Sequence, residues 1–172
     1  EIIEKNRSYR RFYEDHEIPL EKLTELIDLA RICPSSRNIQ PLKYIISNTK
    51  KKNDKIFPHL AWAGYIKDWD KPEPGEQPSA YIIILGDKYI FSLFNVDLGI
   101  AAQTILLGAA EMGYGGCMVG SIERKKLRAE LQIPDRYEIL LCLALGKPKE
   151  EVVLEEVKDD NIEYYRDEKQ VH

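Results

Sequence analysis

AYIIILGD, residues 80–87, puts six apolar side chains in a row before Gly86, three of them consecutive isoleucines. A strand with one wet face alternates polar and apolar residues, and this run does not. It therefore predicts a strand buried on both faces, and eight residues are too few for a fully buried helix. YEILLCLAL, Tyr137–Leu145, is a second run of the same kind, with Gly146 and Pro148 read as closing it. Strands covered on both sides need helices to cover them.

The chain supplies those helices on either side. Pro19 followed by Leu20, Leu23, Leu26, Ile27 and Ala30 predicts a helix over Leu20–Ile32, stopped by Pro34. Phe94–Met112 reads as a long central helix with Gly113 as its C-cap. Its apolar centre, LGIAAQTILLGAA (98–110), contains Gln103 and is too short to cross a bilayer. Glu123–Leu131 is an amphipathic helix, and Lys50–Lys55 the solvated first turns of another. Tyr44–Ser47 is a short strand, and CMVGS (117–121) a short strand or loop. WDKPEPGEQP (69–78), with three prolines and a glycine, is a surface loop or lid. Helices and strands alternate, which gives an α/β-like class with helices on one central sheet; the direction of strand pairing is not encoded in this pattern.

The whole sequence has 172 residues, 44% hydrophobic and 31% charged, with a net charge of −4 at pH 7. This fits one soluble domain and leaves no face-wide basic excess for nucleic acid. Cys33, Cys117 and Cys142 have no Cys-x-x-Cys spacing and read as reduced, mostly buried thiols of a cytoplasmic protein. His16, His59 and His172 lie far apart, so no metal site is expected. The N-terminal residues are charged and carry no hydrophobic run, so a signal peptide is not expected among them. From Lys149 to Lys169 there are nine acidic and four basic residues without a helical stripe. That composition makes 149–172 either a disordered tail or an extended one lying on another surface, such as a second subunit.

Three stretches carry chemistry. RSYRRF (7–12) gathers three guanidinium groups. If the segment is helical or turn-like, Arg7 and Arg10 share a face beside Ser8, a set suited to a phosphate monoester. The competing reading pairs them with Glu4, Glu14 or Asp15. CPSSRNIQP (33–41) offers Ser35, Ser36, Asn38 and Gln40 within six positions, suited to sugar hydroxyls or a heterocycle edge, or else to an ordinary helix-ending turn. GYGGCMVGS (113–121) lets backbone approach a flat ligand, or makes a tight helix-to-strand turn. It lacks the G-x-G-x-x-G dinucleotide spacing. No Ser-His-Asp, Cys-His or paired-carboxylate constellation stands out.

In this order the three stretches resemble the nitroreductase family of FMN-dependent oxidoreductases. The likeness rests on Arg-Ser-x-Arg at Arg7, Ser8 and Arg10, and on P-S-S-x-N-x-Q-P from Pro34 to Pro41. It continues in AAQTILLGAA and in G-x-G-x-C-x-x-G from Gly113 to Gly120. The resemblance covers about Ile2 to Pro148 and implies an α+β three-layer sandwich. Its central sheet would be mixed and mostly antiparallel, flanked by helices, with an extended C-terminal tail.

It further implies an FMN-binding domain over residues 1–148, with 149–172 packing on the partner subunit of a homodimer. Arg7, Ser8 and Arg10 would grip the FMN phosphate. Pro34, Ser35, Ser36, Asn38 and Gln40 would line the ribityl chain and one ring edge. Met118, Gly120 and Ser121 would run beside the isoalloxazine. NAD(P)H and an electron-poor acceptor would react in turn, by a ping-pong sequence. Alternatives within the same likeness are an FMN-binding sensor with little turnover, and a flavin-dependent dehalogenase or dehydrogenase. Three positions depart from the family pattern: Leu42 replaces an aromatic, Thr104 replaces an Asn, and no C-terminal Lys or Arg plainly matches the one that reaches the phosphate.

Overall fold

A computed structural model describes residues 1–66, 68–157, 159–167 and 171–172. Among these residues ten regular elements follow in the order α1 (Ile2–Lys5), β1 (Phe12–Tyr13), α2 (Leu20–Arg31), β2 (Leu42–Ser47), α3 (Lys50–Asn53), β3 (Ala80–Asp87), α4 (Asn95–Glu111), β4 (Gly115–Val119), α5 (Arg124–Leu131) and β5 (Tyr137–Pro148). Short 3-10 turns occupy Ser36–Asn38 and Phe57–His59.

The 80–87 run forms β3, and every one of its residues is buried. It sits between β2 and β5, with Ile83 opposite Ile45 on one side and Cys142 on the other. Side chains of a strand alternate between faces. Accordingly Ala80, Ile82 and Ile84 join Leu143 and Leu145 under α2 and α4. Tyr81, Ile83 and Leu85 join Cys142 and Ala144 under Leu127 of α5 and the Ile56, Leu60 and Trp62 segment. Two cores on one sheet make a three-layer sandwich. The β1–β5, β2–β3, β3–β5 and β4–β5 pairings are all antiparallel, and a lone parallel bridge joins Ser8 to Gly116. The alternation that looks α/β-like in sequence is thus an α+β arrangement.

α2 and α4 cross closely because Gly108 has no side chain: a Cβ there would lie 2.6 Å from a Leu29 methyl and 2.9 Å from one of Leu26. Gly113, at φ +80°, ends α4 as expected.

The structure corrects three readings. Gly146 does not close the last strand; β5 runs through it and ends on Pro148, because Phe12 and Tyr13 pair with Pro148 and Lys147. The strand after α4 begins at Gly115, ahead of the CMVGS reading. The segment holding Arg7 to Arg11 is extended, since α1 stops at Lys5, so Arg7 and Arg10 share no helical face.

Candidate functional site

Arg7, Ser8 and Arg10 leave α1 as an extended strip along β4. Ser8 bridges Gly116, and the Tyr9 amide donates to the Gly116 carbonyl at 3.1 Å. Gly115 admits that approach, because a Cβ on it would lie 2.5 Å from the Tyr9 ring. The three guanidinium groups then part company. Arg11 makes two bonds to Glu76, at 2.7 and 2.6 Å, and Lys149 joins the same carboxylate at 3.0 Å. The hydrogen bond from Arg11 holds the Glu76 carboxyl down at about 2.

Arg7 and Arg10 meet no acidic side chain among the described residues. Arg7 Nη2 donates to the Ile3 carbonyl at 2.6 Å, and its Nε is buried without a partner. Arg10 Nη1 donates to the Ser8 carbonyl at 3.2 Å and to His172 Nε2, and the guanidinium lies 4.6 Å from the centre of the Tyr164 ring. His172 Nδ1 faces the Tyr165 carbonyl at 3.2 Å, which places the ring proton on that nitrogen. Burial and the nearby Arg10 both lower the His172 pKa, consistent with a neutral ring accepting from arginine.

Glu4 instead pairs with the N-terminal amine, and Glu14 accepts from the Gly75 and Gln77 amides. Two guanidinium groups without an acidic partner, one carrying an orphan buried donor, fit an incoming phosphate. Behind them, the Glu150 carboxylate accepts from the Arg10 and Arg11 backbone amides and is neutralised by Arg166 at 2.8 Å.

The 34–40 loop is built elsewhere. The Ser35 hydroxyl donates to Asp97, the Ser36 amide donates to the same carboxylate at 2.9 Å, and the Gln40 amide donates to Ser35 Oγ at 2.9 Å. Gln40 Nε2 donates to Asn38 Oδ1 at 2.9 Å. Pro34, Ser35 and Gln40 rim a cavity of about 260 Å³ whose floor includes Ile27, Leu42 and Ile100. Met118 is 43% exposed on a strand whose neighbours are buried. Gly120 and Ser121 lie just past the last β4–β5 pair, Val119–Cys142, and a Gly120 side chain would meet a Leu141 methyl at 3.9 Å, an ordinary contact.

A model of the Nitroreductase family matches residues 3–147. The chain belongs to the nitroreductase family. It is 28% identical over 165 residues to an FMN reductase (NADPH) of Bacillus subtilis, covering 86% of this chain and 65% of that protein. A solved nitroreductase family protein of Clostridium novyi NT is 26% identical with a TM-score of 0.72, over 86% of this chain and 83% of the other. An FMN-dependent nitroreductase of Clostridium difficile R20291 is 25% identical with a TM-score of 0.70, over 99% and 96%.

In this nitroreductase-family chain the expected residues form two groups. Arg7, Ser8 and Arg10 lie at the Gly115–Gly116 end of β4, the strand that carries Met118 and leads on to Gly120 and Ser121. Pro34, Ser35, Ser36, Asn38 and Gln40 sit at the start of α4. No hydrogen bond or ion pair joins the groups among the described residues. Ser8 lies at Gly116, beneath Leu106, nine residues along α4 from Asp97 or about 14 Å of helix.

Sequence reasoning missed Asp97, Glu150 and Glu76. Asp97 had a signal, as an acid opening an otherwise apolar helix. Glu150 and Glu76 had none, being lost among the acids of the tail and the loop. Cys117, inside the glycine-rich motif, is fully buried and its thiol is pushed up to about 12 by desolvation, so it is no nucleophile. No group of His, Cys, Asp and Glu able to hold a metal occurs among the described residues, and no helix there is long and apolar enough to cross a membrane.

Proposed function

We propose that the chain is an FMN-dependent oxidoreductase that uses NAD(P)H to reduce nitroaromatics, quinones or related electron-poor acceptors. The observation that carries this is the pair Arg7 and Arg10, held beside a glycine-rich strand with no acidic partner among the described residues, in a chain of the nitroreductase family. The redox chemistry, a hydride taken from NAD(P)H and electrons passed on in a second half-reaction, belongs to the bound FMN.

The chain's own residues bind and orient. Arg7, Arg10 and the Ser8 hydroxyl hold the phosphate. Glu150 fixes the backbone that carries them, with its charge taken up by Arg166 rather than offered to the phosphate. Ser36, Asn38 and Gln40 give donors and acceptors to the ribityl chain and ring. Met118, Gly120 and Ser121 would run beside the ring and offer it backbone amides as donors. NAD(P)H and the acceptor would react in turn with the same flavin, a ping-pong sequence.

Because the two groups stand apart in one chain, the site is completed by a second copy. The loop at α4 of one subunit then faces the arginine strip of the other. The tail leaves Leu154, Val157 and Ile162 at least 64% exposed, an apolar edge suited to the partner subunit.

Protein purified under native conditions is expected to show flavin absorption near about 370 and 450 nm, and to bleach under anaerobic NADH or NADPH. A colourless protein that takes up no added FMN would overturn the reading. Bound flavin that neither pyridine nucleotide reduces would leave a binding protein, not an oxidoreductase.

A further inference from the structure

Asp97 stands in the first turn of α4 and is 4% exposed, yet no Lys or Arg pairs with it among the described residues. A buried carboxylate without a cation is costly unless its oxygens are well bonded. Both are. Oδ2 accepts from the Ser35 hydroxyl and Oδ1 from the Ser36 amide at 2.9 Å. The Ser35 oxygen in turn accepts from the Gln40 amide at 2.9 Å. One carboxylate therefore fastens both ends of the stretch from Ser35 to Gln40.

That stretch needs fastening. Arg37, Asn38 and Gln40 have φ of 53°, 55° and 55°, a left-handed conformation that residues other than glycine rarely adopt in succession. The first helical turn favours a negative charge, which lets Asp97 serve as a fixed post there. We propose that Asp97 is a positioning residue: through Ser35 it sets the shape of the 35–40 loop and so the flavin-facing groups of Ser36, Asn38 and Gln40.

Ser35 has a changed role in consequence. Its one hydroxyl proton is given to Asp97 and a lone pair receives the Gln40 amide, so it braces the loop rather than addressing the ligand. Asn38 Oδ1 is occupied by Gln40 Nε2. Asn38 Nδ2 and Gln40 Oε1 remain for the ribityl chain or ring edge.

The inference rests on the FMN reading for its ligand but not for its geometry, and the experiment separates the two. Amide hydrogen exchange on the full chain without added ligand should show Ser36 and Gln40 protected in the native protein and unprotected in Asp97→Ala. Fluorescence titration with FMN and with riboflavin should show Asp97→Ala weakening both by the same factor, roughly 10-fold, because the loop does not address the phosphate. Asp97→Asn, which keeps one acceptor oxygen, should fall between. Should Asp97→Ala not fold, Ser35→Ala should unprotect Gln40 alone and weaken both flavins, with Ser35→Thr restoring them.

Amides still protected in Asp97→Ala, or affinities within about twofold of native, would overturn the proposal. Weakened FMN with unchanged riboflavin would also overturn it, by assigning the effect to the phosphate end. If the native protein binds neither flavin, the FMN reading fails, and the exchange data still decide whether Asp97 holds the loop.

Discussion

Arg37, at φ 53° and ψ 19°, lies between Ser36 and Asn38 with its Cβ in a left-handed backbone that costs an L-residue about 1–2 kcal/mol. Arg37→Gly should therefore raise stability by about 0.5–1 kcal/mol, the relief of strain exceeding the added freedom of the unfolded chain. Arg37→Val should lower it, and urea midpoints compare the two. Glu76 offers a second measurement at this scale. Its folded pKa of about 2 lies below the ordinary 4.5, so its bond to Arg11 stabilises the fold fully above the unfolded value. That contribution fades as pH falls from 4.5 toward 2 and is gone once Glu76 is protonated in both states. Glu76→Gln should cost about 1–2 kcal/mol at pH 7, and the gap to the native protein should close by the bottom of that window. A gap that stays constant with pH would mean the pair contributes nothing through charge.

β3 makes the two-sided burial testable residue by residue. Ile82 faces α2 and α4, and Ile83 faces the α5 side, each 0% exposed. Ile82→Ala and Ile83→Ala should each cost about 2–5 kcal/mol in denaturant unfolding, whereas in a strand with one wet face one of the two would be nearly silent. The unbroken apolar run made this element legible, and the 3–4 spacing did the same for α2 and α4. β1 escaped because two residues carry no period. Phe12, at 0% exposure, shows its role only against Gly146, where a Cβ would lie 2.7 Å from its ring. The same missing partner made Gly146 look like a stop, whereas the strand ends on Pro148. Pairing direction was illegible for a related reason: strands buried on both faces read alike in parallel and antiparallel sheets.

Across the molecule, the motifs proposed to hold the flavin could be read from sequence as residue types but not as positions. The sequence puts Arg7 to Arg10 and Pro34 to Gln40 only two dozen residues apart. The fold sends the first to β4 under Leu106 and the second to Asp97 at the start of α4. If one chain's arginines serve the loop of the other, complementation between two defective chains should reveal it. An Arg7→Ala/Arg10→Ala chain has a sound loop. A Ser36→Ala/Asn38→Ala/Gln40→Ala chain has a sound clamp. Each alone should lose FMN. When they are unfolded together and refolded in equal amounts, half of the dimers are mixed, and each mixed dimer joins one intact clamp to one intact loop. Flavin content should return to about a quarter of the native level. Were both groups to serve a ligand in their own chain, every site in the mixed dimer would keep one defect and no flavin would return.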